Sequence, residues 1–207
     1  FEVPVPPLET QVAISEIVRG FDSLIDLNNV LSSQLAEFSR SLFTSWFINF
    51  DPVRAKMAGE APIGMDAETA ALFPDAMEES EPGYIPSGWQ VSKVERLLTR
   101  LKVKGLAKST PLKNTGRTLV LEQGDAVVAG FLDQDADVLA SQASPKFIFG
   151  DHTCRMRLAT QPFSVLPNTI VLDSTDVNTY WAFQATSGLQ SFETYRRHWM
   201  EFAQKTV

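Results

Sequence analysis

The chain has 207 residues, 44% hydrophobic and 21% charged, with a formal net charge of −7. That is enough for one domain plus an accessory element, or for two small domains with buried cores. No run of some 18 apolar residues is present, which excludes a membrane-spanning helix, and the single Cys154 excludes an internal disulfide. Phe1–Pro7 has neither the basic nor the apolar region of a signal peptide, so a cytoplasmic location is expected.

Taken in chain order, Pro6-Pro7 forbid helix upstream, and Glu9 or Thr10 can serve a first turn. Thr10 to about Asn49 then reads as one long helix, interrupted by no proline and only by Gly20. Alternating four- and three-residue steps run through Ile14, Ile17, Phe21, Leu24, Asn28, Leu31, Leu35, Phe38 and Leu42, the a/d seam of a coiled coil. Val18, Ile25, Val30, Phe43, Trp46 and Phe47 widen the stripe, so the C-terminal end is expected to pack on a globular body as well. Such a rod, on the order of 60 Å long, cannot cover its own seam, and no comparable helix follows. Asn28 either fixes register on the seam or marks a slight rotation that leaves it half exposed.

At Asp51-Pro52 the pattern breaks. A short helix is expected over Asp66–Leu72, after which Pro74, Pro82, Gly83, Pro86 and Gly88 punctuate an acidic stretch, read as a connector and not as core. Beyond Trp89 the chain turns mixed. Ser92–Leu101 reads as a short helix, followed by strands at Thr118–Leu121, Asp125–Ala129, Lys146–Phe149, Cys154–Leu158, Phe163–Val165 and Thr169–Leu172. Helices close it at Val177–Thr186 and Glu193–Gln204. The expected fold class is α+β, a long coiled-coil helix followed by a mixed α/β body.

The net charge averages two unlike halves. Residues 1–88 hold four basic and fourteen acidic side chains, a balance of −10; residues 89–207 hold fourteen and eleven, a balance of +3. Between 89 and 117 lie eight cations (Lys93, Arg96, Arg100, Lys102, Lys104, Lys108, Lys113, Arg117) against Glu95 alone. This is either a phosphate-binding footprint or a solvated face.

Motifs for catalysis are missing: there is no phosphate loop, dinucleotide fingerprint, metal-spaced Cys/His cluster or nucleophile elbow, and no cofactor or metal is expected. Asp151-His152-Thr153-Cys154 puts His152 and Cys154 on one face of an extended segment with no third group, so His152 reads as structural or DNA-contacting. Asp133, Asp135 and Asp137 lack the glycine and terminal glutamate of a calcium loop and read as a solvated loop. In Tyr195-Arg196-Arg197-His198-Trp199, a helix would bury Tyr195, Trp199 and Phe202 and leave Arg196 and Arg197 nearer solvent, either for phosphate or base contact or only to solubilise the helix.

Several segments together resemble the specificity subunits of type I restriction-modification enzymes. Pro6-Pro7-Leu8-Glu9-Thr10-Gln11 is similar to the opening of that family's spacer helix. Leu42–Lys56 resembles its exit, and Ala71–Asp75 with Ile85–Trp89 the lead into a target-recognition domain; Phe149–Thr153 resembles a segment inside such domains. The resemblance implies residues 1–50 as the end of a preceding domain plus coiled-coil spacer helix, 51–88 as connector, and 89–207 as the target-recognition domain. It implies a non-catalytic subunit that reads half of a bipartite site in double-stranded DNA. Its partners would be methyltransferase subunits, through them the restriction subunit, and a second spacer helix from the same subunit or another copy, with no membrane. The candidate DNA contacts are Arg100, Lys102, Lys104, Lys108, Lys113, Arg117, Lys146, His152, Arg155, Arg196 and Arg197. The family's subunits are about twice this length, so the chain is either a fragment or a half-subunit whose copies pair; Phe1-Glu2-Val3 reads as the middle of a polypeptide, which favours a fragment. The competing reading is a coiled-coil scaffold with an α/β cap that binds no DNA.

Overall fold

The structure is a computed structural model that describes residues 3–81, 83–126 and 128–207. Phe1 and Glu2 of the opening tripeptide, Pro82 of the punctuation and Val127 of the strand expected at Asp125–Ala129 lie outside the described residues. The chain is α+β and divides into two compact units between Met77 and Glu78.

In the first unit, α1 (Leu8–Phe43) runs for 36 residues, about 54 Å. Pro7 precedes it in an extended conformation, and Gln11 closes the first turn by donating to the Pro7 carbonyl at 3.0 Å and, through its side chain, to the Pro6 carbonyl at 2.8 Å. The helix continues into one π-helical turn, Thr44–Ile48. No α1 side chain is buried. Ile14, Ile17, Phe21, Leu24, Asn28, Leu31, Leu35 and Phe38 are all exposed, and Leu42 is half-buried. The apolar stripe is therefore bare along its length, because the next longest helix among the described residues has only eight.

Two expectations need correcting here. Asp51-Pro52 does not simply end the helix. Phe50 takes a left-handed conformation (φ 58°) that breaks the chain direction, and α2 (Asp51–Met57) starts at once with proline in its first turn, where no backbone donor is needed. The segment after it is also more than a connector. Val53 and Phe73 are buried, Trp46 meets Phe73 edge-on at 5.8 Å, and Phe43 stacks on Phe47 at 4.9 Å. Lys56 donates its ammonium protons to the carbonyls of Ala70 and Phe73, covering acceptors that the end of α3 (Ala67–Ala71) leaves open.

Asp66 caps α3 by accepting from the Thr69 N–H at 2.7 Å, and that backbone hydrogen bond holds its carboxyl below the usual carboxylate range. A lowered folded-state pKa stabilises above the unfolded value and loses that contribution as pH falls through the folded value. Acid should therefore loosen α3 in the native chain, and Asp66→Asn should remove this part of the pH dependence, read as proteolytic nicking near residues 60–72 across an acid titration.

A two-stranded sheet of β1 (Met77–Ser80) and β2 (Gly83–Pro86) stands at the boundary. The second unit has three layers. Its central sheet has the order β3-β9-β6-β7, all antiparallel, from β3 (Thr99–Arg100), β6 (Lys146–Gly150), β7 (Met156–Ala159) and β9 (Thr169–Asp173). Phe147 pairs with Leu172 and Phe149 with Ile170 on one face; Ile148 pairs with Val171 on the other. The Phe147 face packs on α4 (Val94–Leu97), α5 (Thr179–Thr186) and α6 (Trp199–Gln204) through Val94, Ala182 and Phe202. The Ile148 face packs on a second sheet, β5-β4-β8, through Leu121, Phe163 and Val165. In that sheet β4 (Thr118–Leu121) runs antiparallel to β5 (Gly130–Leu132) and parallel to β8 (Phe163–Val165). Burial on both faces explains why Phe147-Ile148-Phe149 and Ile170-Val171-Leu172 are unbroken apolar runs.

Several element boundaries differ from expectation, and four of the differences shape the second unit. The helix at Ser92–Leu101 shrinks to Val94–Leu97, because Leu98 is extended and Leu101 donates to Val171 at 2.9 Å. The strand at Asp125–Ala129 moves to Gly130–Leu132, its pairing opening with Ala129 on Val120 at 2.8 Å, while Gly124 and Asp125 carbonyls accept from Arg157. The strand at Cys154 starts at Met156, because Cys154 is left-handed (φ 56°) and closes a turn onto Gly150. The helix at Glu193–Gln204 starts only at Trp199.

Candidate nucleic-acid interface

The late start of α6 shapes the site. Its N-terminal donors are met from far along the chain: the Asp151 carboxylate accepts from the N–H groups of His198 (3.2 Å) and Trp199 (3.0 Å), and the Asp151 carbonyl accepts from His198 at 2.8 Å. Asp151 is buried in a tight turn, not an extended segment. The turn fits only because Gly150 precedes it: a Cβ there would lie 2.3 Å from Thr153 Oγ1 and 2.8 Å from Gln123 Cβ. Gln123 holds the turn by accepting from His152 N at 2.9 Å through its side chain and from Thr153 Oγ1 at 2.7 Å through its carbonyl.

With α6 set in this way, Arg197 lands in a cleft of about 320 Å³ between the 100–105 segment, the Pro167-Asn168 turn and α6. Arg100 and Lys104 line the same cleft. Leu101 and Val103 point into the core beneath, while Arg100, Lys102 and Lys104 are exposed, as alternation along an extended chain requires. Among the described residues, Arg100, Lys102, Lys104 and Lys108 have no carboxylate within ion-pair distance, and Arg197 has only Asp151 at a long 3.8 Å. These charges are available to an anionic partner.

The other candidates are scattered and internally paired. Lys113 and Arg117 are bound to Asp133 and Asp135, which also explains two of the three loop aspartates; Lys113 holds the Asp133 carboxyl below its usual range. Lys146, only 12% exposed, bridges to Asp173 at 3.1 Å along the sheet. Arg155 pairs with Asp125. Arg196 is held between Glu193 and Glu201 and pulls the Glu201 carboxyl below the carboxylate range. A paired cation must give up its partner before it can serve a phosphate, which offsets most of what an exposed pair gains.

His152 and Cys154 form no nucleophilic pair. Burial, and then the carboxylates of Glu201 and Asp151, push the Cys154 thiol above its ordinary value, away from the reactive thiolate. The His152 ring instead stacks on Tyr195, centroids 4.7 Å apart and planes at 15°. Tyr195 is the residue most clearly misjudged from periodicity: expected on a buried helix face, it is 80% exposed on a loop. The strand-like alternation Arg100-Leu101-Lys102-Val103-Lys104 was the sequence signal for the cleft wall, hidden by extending a helix through Leu101. Asp151 as a remote cap left no local signal.

No protein-family profile matches the chain. Over 68 residues, 33% of this chain, it is 43% identical to the type I restriction enzyme HindI specificity subunit of Haemophilus influenzae. Over that third the chain is a sequence relative of a type I specificity subunit. Two solved structures resemble it more loosely. They are a type I restriction-modification S subunit from M. genitalium (15% identity, 58% of this chain, TM-score 0.45) and the HsdS subunit from Thermoanaerobacter tengcongensis (13% identity, 99% of this chain, TM-score 0.40). The chain spans 15% of the Haemophilus relative and 34% and 47% of the two solved chains, less than half of each.

Proposed function

We propose that this chain is the DNA-reading part of a type I specificity subunit, binding one half of a bipartite site in duplex DNA without performing chemistry. The observation that carries the reading is the cleft where Arg100, Lys104 and Arg197 meet with little internal compensation, next to the exposed Lys102. Backbone phosphates are the natural partner of such a cluster, and they fix register while loops at its rim read bases. The bare seam of α1 suits a second spacer helix and, alongside it, the methyltransferase subunits that would carry the adenine chemistry and recruit the restriction subunit. A cytoplasmic location follows from that partnership.

Duplexes selected from a random pool on the full chain supply the test. The affinity should fall steeply between 50 and 200 mM salt, with a log–log slope of at least about −2.7 if three cleft cations each release a counterion. A coiled-coil scaffold with no DNA role would self-associate yet enrich no duplex, and a salt-independent affinity would sink the proposal.

A further inference from the structure

We propose that Tyr195, backed by His152, is the ring that bears on a base of bound DNA and so contributes sequence discrimination and not merely charge; this rests on the DNA-reading function proposed above. Tyr195 stands on the loop between α5 and α6, two residues before Arg197 and the cationic cleft. One face of its ring is covered by the His152 imidazole and the residue is otherwise open to solvent. An aromatic ring this exposed contributes nothing to the core, yet it is held in place. The His152 backbone is tied to Gln123, and the turn that carries His152 is locked by Gly150 and by the Asp151 cap. The imidazole adds no hydrogen bond of its own through Nδ1, which is buried without a partner among the described residues. Toward Tyr195 it presents its flat face.

The surroundings favour a nucleobase over a protein partner. Arg196 pairs with Glu193 on the same loop and with Glu201 of α6, and the exposed apolar side chains of this stretch besides Tyr195 are Phe192 and Met200, too few for a protein-docking face. What the loop offers is a supported π-face close in sequence to the little-compensated cations of the cleft. Base–aromatic stacking suits that combination, because the ring meets the base while neighbouring guanidinium groups hold the phosphates. A ring reaching a base in a duplex acts at a partly unstacked step, which makes the contact depend on local sequence.

The experiment compares the full wild-type chain with Tyr195→Ala, Tyr195→Phe, His152→Ala and His152→Phe on a duplex selected from a random pool. Loss of a stacking contact should weaken Tyr195→Ala by about 5- to 150-fold with the salt slope unchanged. Tyr195→Phe should stay within about twofold. His152→Ala should weaken binding with the slope again unchanged. His152→Phe should restore it, since only the flat face matters, and that rescue separates positioning from a general structural role. If wild type binds with the expected salt slope but Tyr195→Ala is within twofold of it, the Tyr195 contact is refuted while the DNA-reading function stands. A Tyr195→Phe variant as weak as Tyr195→Ala would make the hydroxyl and not the ring the contact, and would equally overturn the inference. Absence of duplex binding by wild type overturns both.

Discussion

Phe149→Ala should destabilise the second unit by about 3–5 kcal/mol, among the largest losses expected of a single truncation in this chain. Phe149 is fully buried on β6, between Ile170 of β9 and Met156 of β7. It stacks on Phe202 at 4.5 Å with planes 8° apart and meets Trp199 edge-on at 6.1 Å. Truncation removes the ring's transfer free energy and leaves a cavity that the central sheet and the helices packed on it cannot collapse to fill. The damage also extends beyond the cavity. At six residues, α6 is far too short to persist alone, so it depends on this packing and on the Asp151 cap. Loosening it frees Arg197 and the loop carrying Tyr195. Denaturant unfolding followed by far-UV circular dichroism measures the loss, and thermal melting should show a midpoint lower by roughly 10 °C or more. A loss below about 1 kcal/mol would mean that Phe149 does not organise this core. Tyr195→Ala, by contrast, should stay within about 0.5 kcal/mol of wild type in stability, as surface substitutions do.

The largest effect on binding should come from emptying the cleft. Arg100→Ala, Lys104→Ala and Arg197→Ala combined should reduce the magnitude of the salt slope by about 2.7, since each lost phosphate contact removes roughly 0.9. The loss should be nearly uniform across duplex sequences, the mark of contacts that position without reading. The matched control is Lys113→Ala, Arg155→Ala and Arg196→Ala combined. It deletes as many positive charges, but each of these cations faces its own carboxylates. Its slope should change by less than one unit. Equal slopes for the two triple variants would show that total charge matters and the cleft does not. The comparison is clean because all three cleft side chains are exposed and bear no core packing.

How far these features could be read from the residues depended on how local their causes are. The long helix was legible because its cause is periodic. Ile14 to Leu42 repeat every 3.5 residues on average, and Pro7 sets the start. Strands β4 and β8 were legible to the residue, and β6 and β9 to within one, because apolar runs flanked by glycine and proline leave few alternatives. The charge contrast between the two halves, and the expectation that cations cluster between 93 and 117, also needed nothing but the sequence.

The tertiary structure alone decided which of those cations are free. Whether Lys113 or Lys104 is available depends on where Asp133 falls, twenty residues away, and no window of sequence holds both the cation and the fold that delivers its partner. The same is true of α6. Its periodicity extends back to Glu193, but backbone donors at a helix start need acceptors, and Asp151 supplies them only at His198 and Trp199, 47 and 48 residues away. That single long-range cap leaves Tyr195 on an exposed loop and not on a buried helix face, and it turns Arg197 into the cleft. The sequence by itself determined the periodic elements and the inventory of charge. Long-range hydrogen bonds and ion pairs, whose partners are brought together only by chain folding, decided where the site is.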